Sequence, residues 1–339
     1  MKTSGLLAGA MCLFLAASSA WADATVESNI KFGGFKGNGA YEGTTALRIQ
    51  GDRQSESSAI KFTGAIMSWA AGGSENTTIT RIDKGVVWVL DPKKKSYTQS
   101  PIALFKPEEP TGKKEETNGE KPKVRVSKSE FTVKKTGASQ TINGFVCEEY
   151  LMTWILETEN LETKARTKNT MTTNLWTTPE TASIRKVQAE EAAFAKAYMK
   201  KMGMNLSPEK MKQYGMGVFS MSTGASEKDL EKEFSVFKKE MAKVKGYPIK
   251  TMVNWKVEGD KAAAPINDSA DSPEPVDVSG GLGGIISGII GQKVKDGIKP
   301  DENAPFFSST TEVKAIHTDK LPAGTFEIPS GYVLGAKNN

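Results

Sequence analysis

The stretch FVCEEYLMTWIL, residues 145–156, decides the fold. Val146, Tyr150, Met152, Trp154 and Leu156 alternate with Phe145, Cys147, Leu151 and Ile155, so large apolar side chains fall on both sides of an extended chain. Period-two spacing rich in aromatic and β-branched residues reads as a strand. Apolarity on both sides predicts a strand covered on both faces, central in its sheet, with something packed over it. Adjacent Glu148 and Glu149 then point to opposite faces and cannot work as a carboxylate pair.

Upstream, from Ala24 to Gln99, short alternating runs are broken by Gly, Asp and Asn, the pattern of a half-buried antiparallel sheet. Val26, Ile30 and Phe32 fall on one face, and Thr45, Leu47 and Ile49 follow the same rule. Asn76 to Ile82, then Asp83-Lys84-Gly85, then Val86 to Leu90 read as a hairpin whose glycine is free to take a positive φ. Asp91-Pro92 ends that strand and Ser96-Tyr97-Thr98 begins the next, so sequential neighbours make a meander. Pro107 to Lys128 and Gly259 to Gly281 carry too little apolar surface to offset the entropy of ordering, so flexible insertions are expected there.

Cover for the sheet is expected from Pro179 to Gly246. Ile184, Val187, Phe194, Tyr198 and Met202 recur at helical spacing, and so do Leu230, Phe234, Phe237, Met241 and Val244. Ser226 with Asp229 suits a capping box, and Gly246 suits a helix exit. Burying one large apolar side chain is worth about 1.5–3 kcal/mol, so five on each helix can hold both against a sheet. Pro248 to Val257 and Ser309 to Ile316 return to strand pattern.

Residues 1–22 read as an export signal. Lys2 gives the positive start, Leu6 to Ala17 an apolar run too short for a permanent span, and Ala20-Trp21-Ala22 a small-x-small cleavage site before Asp23. Met11 stands where a lipidation signal needs a small residue before Cys12, so no lipid anchor is expected. The mature chain, 23–339, is expected in the periplasm as a single domain with Cys147 as its one cysteine, a buried apolar residue rather than half of a disulfide. The chain has 339 residues and a formal net charge of +5, with basic runs such as Lys93-Lys94-Lys95 answered by Glu108-Glu109. No basic stripe interleaves with aromatics, so nucleic acid is not an expected partner.

Few residues could carry chemistry. His317 is the one imidazole; no GxSxG elbow accompanies it and no His/Cys cluster suits zinc, so it reads as a strand-end histidine. Gly37-Asn38-Gly39 does not extend to a phosphate-binding loop. Met199, Met202 and Met204 could attract Cu(I) as soft thioethers, but with no histidine or cysteine nearby they read as packing, and no metal or cofactor is expected. Residues 280–291, GGLGGIISGIIG, place Gly280, Gly284 and Gly288 four apart. The bland reading is a plug against the protein's own core. The functional one is a flap built on Gly284, Ile285, Ile286, Gly288, Ile289 and Ile290, over an apolar cavity or touching lipid.

Three stretches carry a resemblance. Gly85-Val86-Val87-Trp88-Val89-Leu90-Asp91-Pro92 followed by Tyr97 resembles a hairpin of the periplasmic lipoprotein carriers, the LolA/LolB-like superfamily. Thr136-Gly137 through Thr141-Ile142-Asn143-Gly144-Phe145 and Cys147-Glu148-Glu149-Tyr150 resembles a signature of an exported bacterial family placed near that superfamily. Leu321 to Tyr332 is similar to the closing strand of both groups. The resemblance implies an α+β fold: a strongly curved antiparallel sheet, an unclosed barrel, with helices over its concave face and an apolar cavity between. The long insertions and the methionine-rich region depart from the carriers, so ligand specificity is not carried over.

Together these observations lead to a non-catalytic binding or carrier protein for an apolar ligand, a lipid or a lipidated protein, held between sheet and helices. Fourteen buried methylenes at about 0.8 kcal/mol each offer roughly 11 kcal/mol before ordering costs, so no catalytic group is needed. The expected cavity lining is Trp88, Tyr150, Met152, Trp154, Trp176 and Trp255. The alternative is a cell-envelope structural or assembly protein acting through contacts with another envelope protein. Transient membrane contact fits either.

Overall fold

Alternation in the first hundred residues becomes a meander of six strands: β1 (Ala24–Phe35), β2 (Tyr41–Gln50), β3 (Arg53–Phe62), β4 (Gly73–Arg81), β5 (Val86–Asp91) and β6 (Ser96–Pro101). The computed structural model describes residues 23–35, 40–63, 73–104, 124–204, 235–259 and 305–335. After the meander come β7 (Val124–Ile142), β8 (Phe145–Asn160), β9 (Arg166–Thr178), helix α1 (Ala182–Lys201), β10 (Tyr247–Gly259), β11 (Phe307–His317) and the two-residue β12 (Val333–Leu334). A further helical stretch covers 235–241. All twelve strands join one open sheet in the order β12-β6-β5-β4-β3-β2-β1-β11-β10-β9-β8-β7. Every pairing is antiparallel except β12 with β6.

Turn chemistry sets the hairpins. Gly85 takes φ +69 between β4 and β5, as its position in the turn demanded. Asn143 and Gly144 both take positive φ, 49 and 86, forming the two-residue connection that keeps β7 and β8 in register. The β7 strand begins at Val124, inside the predicted insertion, because Val124, Val126 and their neighbours find partners on β8. The Gly280 to Gly291 run, the flap residues and the Ser226–Asp229 capping box lie outside the described residues.

β8 is not central. Among the described residues it stands one place from the edge, with β7 beyond it. Its two apolar sides are met by two different clusters rather than by two flanking layers. Cys147 joins the core around α1, while Tyr150, with Val133 and Leu175, is met by Met241 and Val244. Val146, just before Cys147, is 61% exposed.

Where α1 sits follows from the ladders. The β10–β11 pairing runs only from Lys250–Glu312 to Trp255–Phe307; beyond it β11 pairs with β1 alone and β10 with β9 alone. The sheet therefore splits at this end. Ile184, Val187 and Phe194 of α1 share one core with Ala24, Val26 and Ile49 on one side and Cys147, Trp176, Tyr247 and Ile249 on the other. By register Ala24, Val26 and Ile49 face one way and Trp176 and Cys147 the opposite way, which is how the two walls of a split come to face each other. Thr181 caps the helix, its hydroxyl accepting from the Ile184 N–H at 3.2 Å.

The opposite face of β4 and β5 is covered by the chain after β11. Residues 321–332 form turns rather than the closing strand that the resemblance implied. Phe326, 2% exposed, fills the space between Ile79, Trp88 and Leu90. Buried Arg81 holds the segment: its guanidinium donates to the Phe326 carbonyl at 3.1 Å, to Glu327 and to both oxygens of Asp83. Lys84 reaches Glu327 at 3.0 Å. The Val333 N–H then donates to the Lys95 carbonyl at 3.0 Å, covering the β6 edge.

The Arg81 hydrogen bonds hold the Asp83 carboxyl below the ordinary value. Burial raises Glu327, but Lys84 and Arg81 outweigh it and the net direction is down. Both carboxyls thus titrate lower folded than unfolded, so their stabilisation is full above the unfolded values and is lost as pH falls through the folded ones, below about pH 4. Urea titrations of the mature protein should show stability falling over that window and a flatter profile for Glu327→Gln. Phe326→Ala should cost about 3–5 kcal/mol at neutral pH, read from the same titrations.

Candidate functional site

Directly opposed residues in a ladder share a face, so register traces a surface from strand to strand. On one face a row of large apolar side chains runs across eight strands. Its first wing is Phe62, Tyr41 and Phe32, neighbours on β3, β2 and β1, with ring centroids 6.2 and 5.1 Å apart. The second runs Phe307, Trp255, Met171, Trp154 and Phe131 on β11, β10, β9, β8 and β7, each the direct partner of the next. Phe32 and Phe307 join the wings edge to face at 5.4 Å, across an irregularity in the β1–β11 ladder.

The middle of the row is buried, Phe32 at 6% and Phe307 at 5% exposure, and the other six residues are half-buried. Indole N–H groups on the second wing are satisfied sideways: Trp255 donates to Asn169 Oδ1 at 3.2 Å and Trp154 to Ser129 Oγ at 3.5 Å. Those bonds leave the rings for apolar contact, and Phe306 already meets the Trp255 ring edge to face at 5.0 Å. At one end of the row Phe131 meets Phe237 of the 235–241 stretch at 4.7 Å. Ala24, Val26 and Ile49, which α1 covers, lie farther along the same face on β1 and β2. Both helical elements thus reach the face that carries the row.

Gly246 lets the second of them join the sheet. It takes φ +87, and a Cβ there would stand 2.4 Å from the Thr178 carbonyl. The Thr177 hydroxyl donates to the Lys245 carbonyl at 2.7 Å, fixing the exit of the segment to the end of β9. Glu56, on the row's face of β3, has its carboxyl pushed up by burial, and burial also raises the Tyr41 phenol.

The six expected lining residues separate. Trp154 and Trp255 belong to the row. Tyr150 and Met152 lie beside it on the same face, in the cluster with Val133 and Leu175. Trp176 is in the core around α1, on the reverse face of β9 from Met171. Trp88 is also on the reverse face, packed on Phe326 with its indole N–H donating to Gln99 at 2.8 Å. Phe32, Tyr41, Phe62, Phe131, Met171 and Phe307 are not among the lining residues that the sequence suggests. The signal was present in aromatics near strand ends, but aligning them required the registers of seven ladders.

Two depressions of about 380 and 540 Å³ open over β2 to β4. Thr44, Ala59 and Glu75 line both, and the larger also reaches Phe62, Lys61 and Lys93. None of the six expected residues lines either one.

Acid–base groups are dispersed. Glu148 pairs with Lys135 at 2.7 Å, while Glu149, on the other face, accepts from Asn174 and Thr136 at 2.8 Å each. His317 is exposed at the end of β11, opposite Thr25. Cys147 is fully buried, its thiol 3.4 Å from the Phe145 carbonyl and its pKa pushed up by burial. Among the described residues, no three His, Cys, Asp or Glu side chains converge as metal ligands. No described helix is long and apolar enough to cross a membrane.

No protein-family model matches the chain, and no curated protein matches it either.

Aromatic neighbours in the row should be energetically coupled. A double-mutant cycle on Phe32→Leu and Tyr41→Leu, followed by urea denaturation, is expected to give about 0.5–1.5 kcal/mol of coupling. The same cycle on Phe32 and Trp88, which lie on opposite faces, should give none.

Proposed function

We propose that this protein is an exported, non-catalytic binding or carrier protein for an apolar ligand, a lipid or the acyl chain of a lipidated protein. The ligand lies along the aromatic row. In this reading the sheet curls around that face, and α1 and the 235–241 stretch line its concave side. One observation carries the reading: eight large apolar residues on eight strands line up in one row, its middle pair buried and its outer six partly exposed. Contiguous apolar surface of that extent suits a ligand contact better than a solvated sheet face. The residues 1–22 support export to the periplasm, and the order of the three family-like stretches supports kinship with the lipoprotein carriers.

Contact with aliphatic chain needs no charge and no acid–base group. Each methylene removed from water contributes about 0.8 kcal/mol, and flat indole and phenyl faces accept any register along the chain.

Protein purified without detergent should carry lipid, detected by organic extraction and mass spectrometry, and should take up a fluorescent fatty acid. Trp154→Ser with Trp255→Ser should weaken that uptake about tenfold or more, while Trp88→Phe, on the reverse face, should leave it unchanged. No co-purifying lipid together with no uptake would overturn the reading and favour the envelope-assembly alternative.

A further inference from the structure

The outer edge of β7 carries a backbone contact that ligand binding along the row does not need. β7 is the last strand of the sheet, 19 residues long, and among the described residues no strand pairs beyond it. An edge of that length offers a row of backbone donors and acceptors to any extended chain. One of its donors is occupied by a side chain. The Val133 N–H donates to Glu240 Oε2 at 2.8 Å, so this N–H points away from β8 and the carboxylate stands where the carbonyl of a neighbouring strand would be. Glu240 is itself held by Lys243, and Phe237, one helical turn earlier, rests on Phe131.

Because Val133 directs its backbone groups outward, its period-two neighbours Phe131 and Lys135 do the same. A second β7 pairing antiparallel about Thr132 would bring those outward groups together in hydrogen-bonded pairs. In that register Phe131 faces the partner subunit's Val133, and Val133 faces the partner subunit's Phe131. Exposed Glu130 faces the partner subunit's Lys134, again twice by symmetry. Glu130 now pairs with Lys128 at 3.0 Å, and neither charge is buried. The alignment also places the two aromatic rows end to end through Phe131.

We propose that β7 is a dimerisation edge for a second copy of this chain, kept closed by Glu240. The carboxylate occupies the Val133 donor, and its withdrawal frees the edge to pair about Thr132.

The test is the mass of the mature full chain in solution, from light scattering behind size exclusion over a range of concentrations. Wild type should be monomeric, and Glu240→Ala should tighten dimerisation by about tenfold or more. Adding Lys134→Glu to Glu240→Ala should abolish the dimer by opposing like charges, and adding Glu130→Lys as well should restore it. Phe237→Ser, at a side chain 44% exposed, loosens the same cover without touching the core and should act in the same direction should Glu240→Ala fail to fold. A folded Glu240→Ala or Phe237→Ser variant that stays monomeric overturns the proposal. So does a dimer indifferent to the charge at 134, or a wild type already dimeric.

Discussion

An open sheet of twelve strands has two faces, two edges and a split end, and a single long helix among the described residues to cover them. Backbone N–H and C=O groups and apolar side chains both need partners, so each uncovered part must be met by something local. α1 meets the split between β10 and β11, burying Ile184, Val187 and Phe194 against walls that come from opposite faces of the same sheet. That wedge joins the first strands of the chain to β8, β9 and β10. The β10–β11 ladder itself holds nothing beyond Lys250–Glu312, and there Asn143 of the β7–β8 turn adds a second link, its amide donating to the Val313 carbonyl at 2.9 Å and to Glu312 at 3.1 Å.

The remaining cover is made of short pieces. The 321–332 segment lies on the reverse face of β4 and β5 with Phe326 as its anchor and Arg81 as its clamp, and β12 then closes part of the β6 edge. Met241 and Val244 cover Tyr150, Val133 and Leu175 near the other edge. The aromatic row is buried at Phe32 and Phe307 and only partly covered along its two wings. An apolar surface left over in this way is a natural place for a ligand that brings apolar surface of its own.

Much of the fold was legible from local chemistry. The β4–β5 hairpin with Gly85 at positive φ, the start of β6 at Ser96, the strands β10 and β11, and a helix burying Ile184, Val187 and Phe194 all follow from periodicity and turn residues. The central place expected for β8 did not hold, because apolarity on both sides says that both sides are met and not by what. Cys147 and Tyr150 are met by separate clusters, so one strand from the edge suffices. The closing strand expected at Leu321 to Tyr332 also failed: Phe326 is worth more in the pocket between Ile79 and Trp88 than on a ladder, and Pro322 and Pro329 withhold backbone donors. Of the six expected lining residues the row includes Trp154 and Trp255, because apolar character says that a side chain is covered and register alone says on which face.

The sequence by itself determined the strands β4, β5, β8, β10 and β11, which residues are apolar, and which turns can be tight, since period and φ preference act over a few residues. Tertiary structure alone decided that Phe62, Tyr41, Phe32, Phe307, Trp255, Met171, Trp154 and Phe131 form one line, because alignment across eight strands is the product of seven registers and a one-residue slip in any of them would turn the rest to the other face. It also decided that Glu240 meets Val133 over 107 residues of chain. No local preference carries that far.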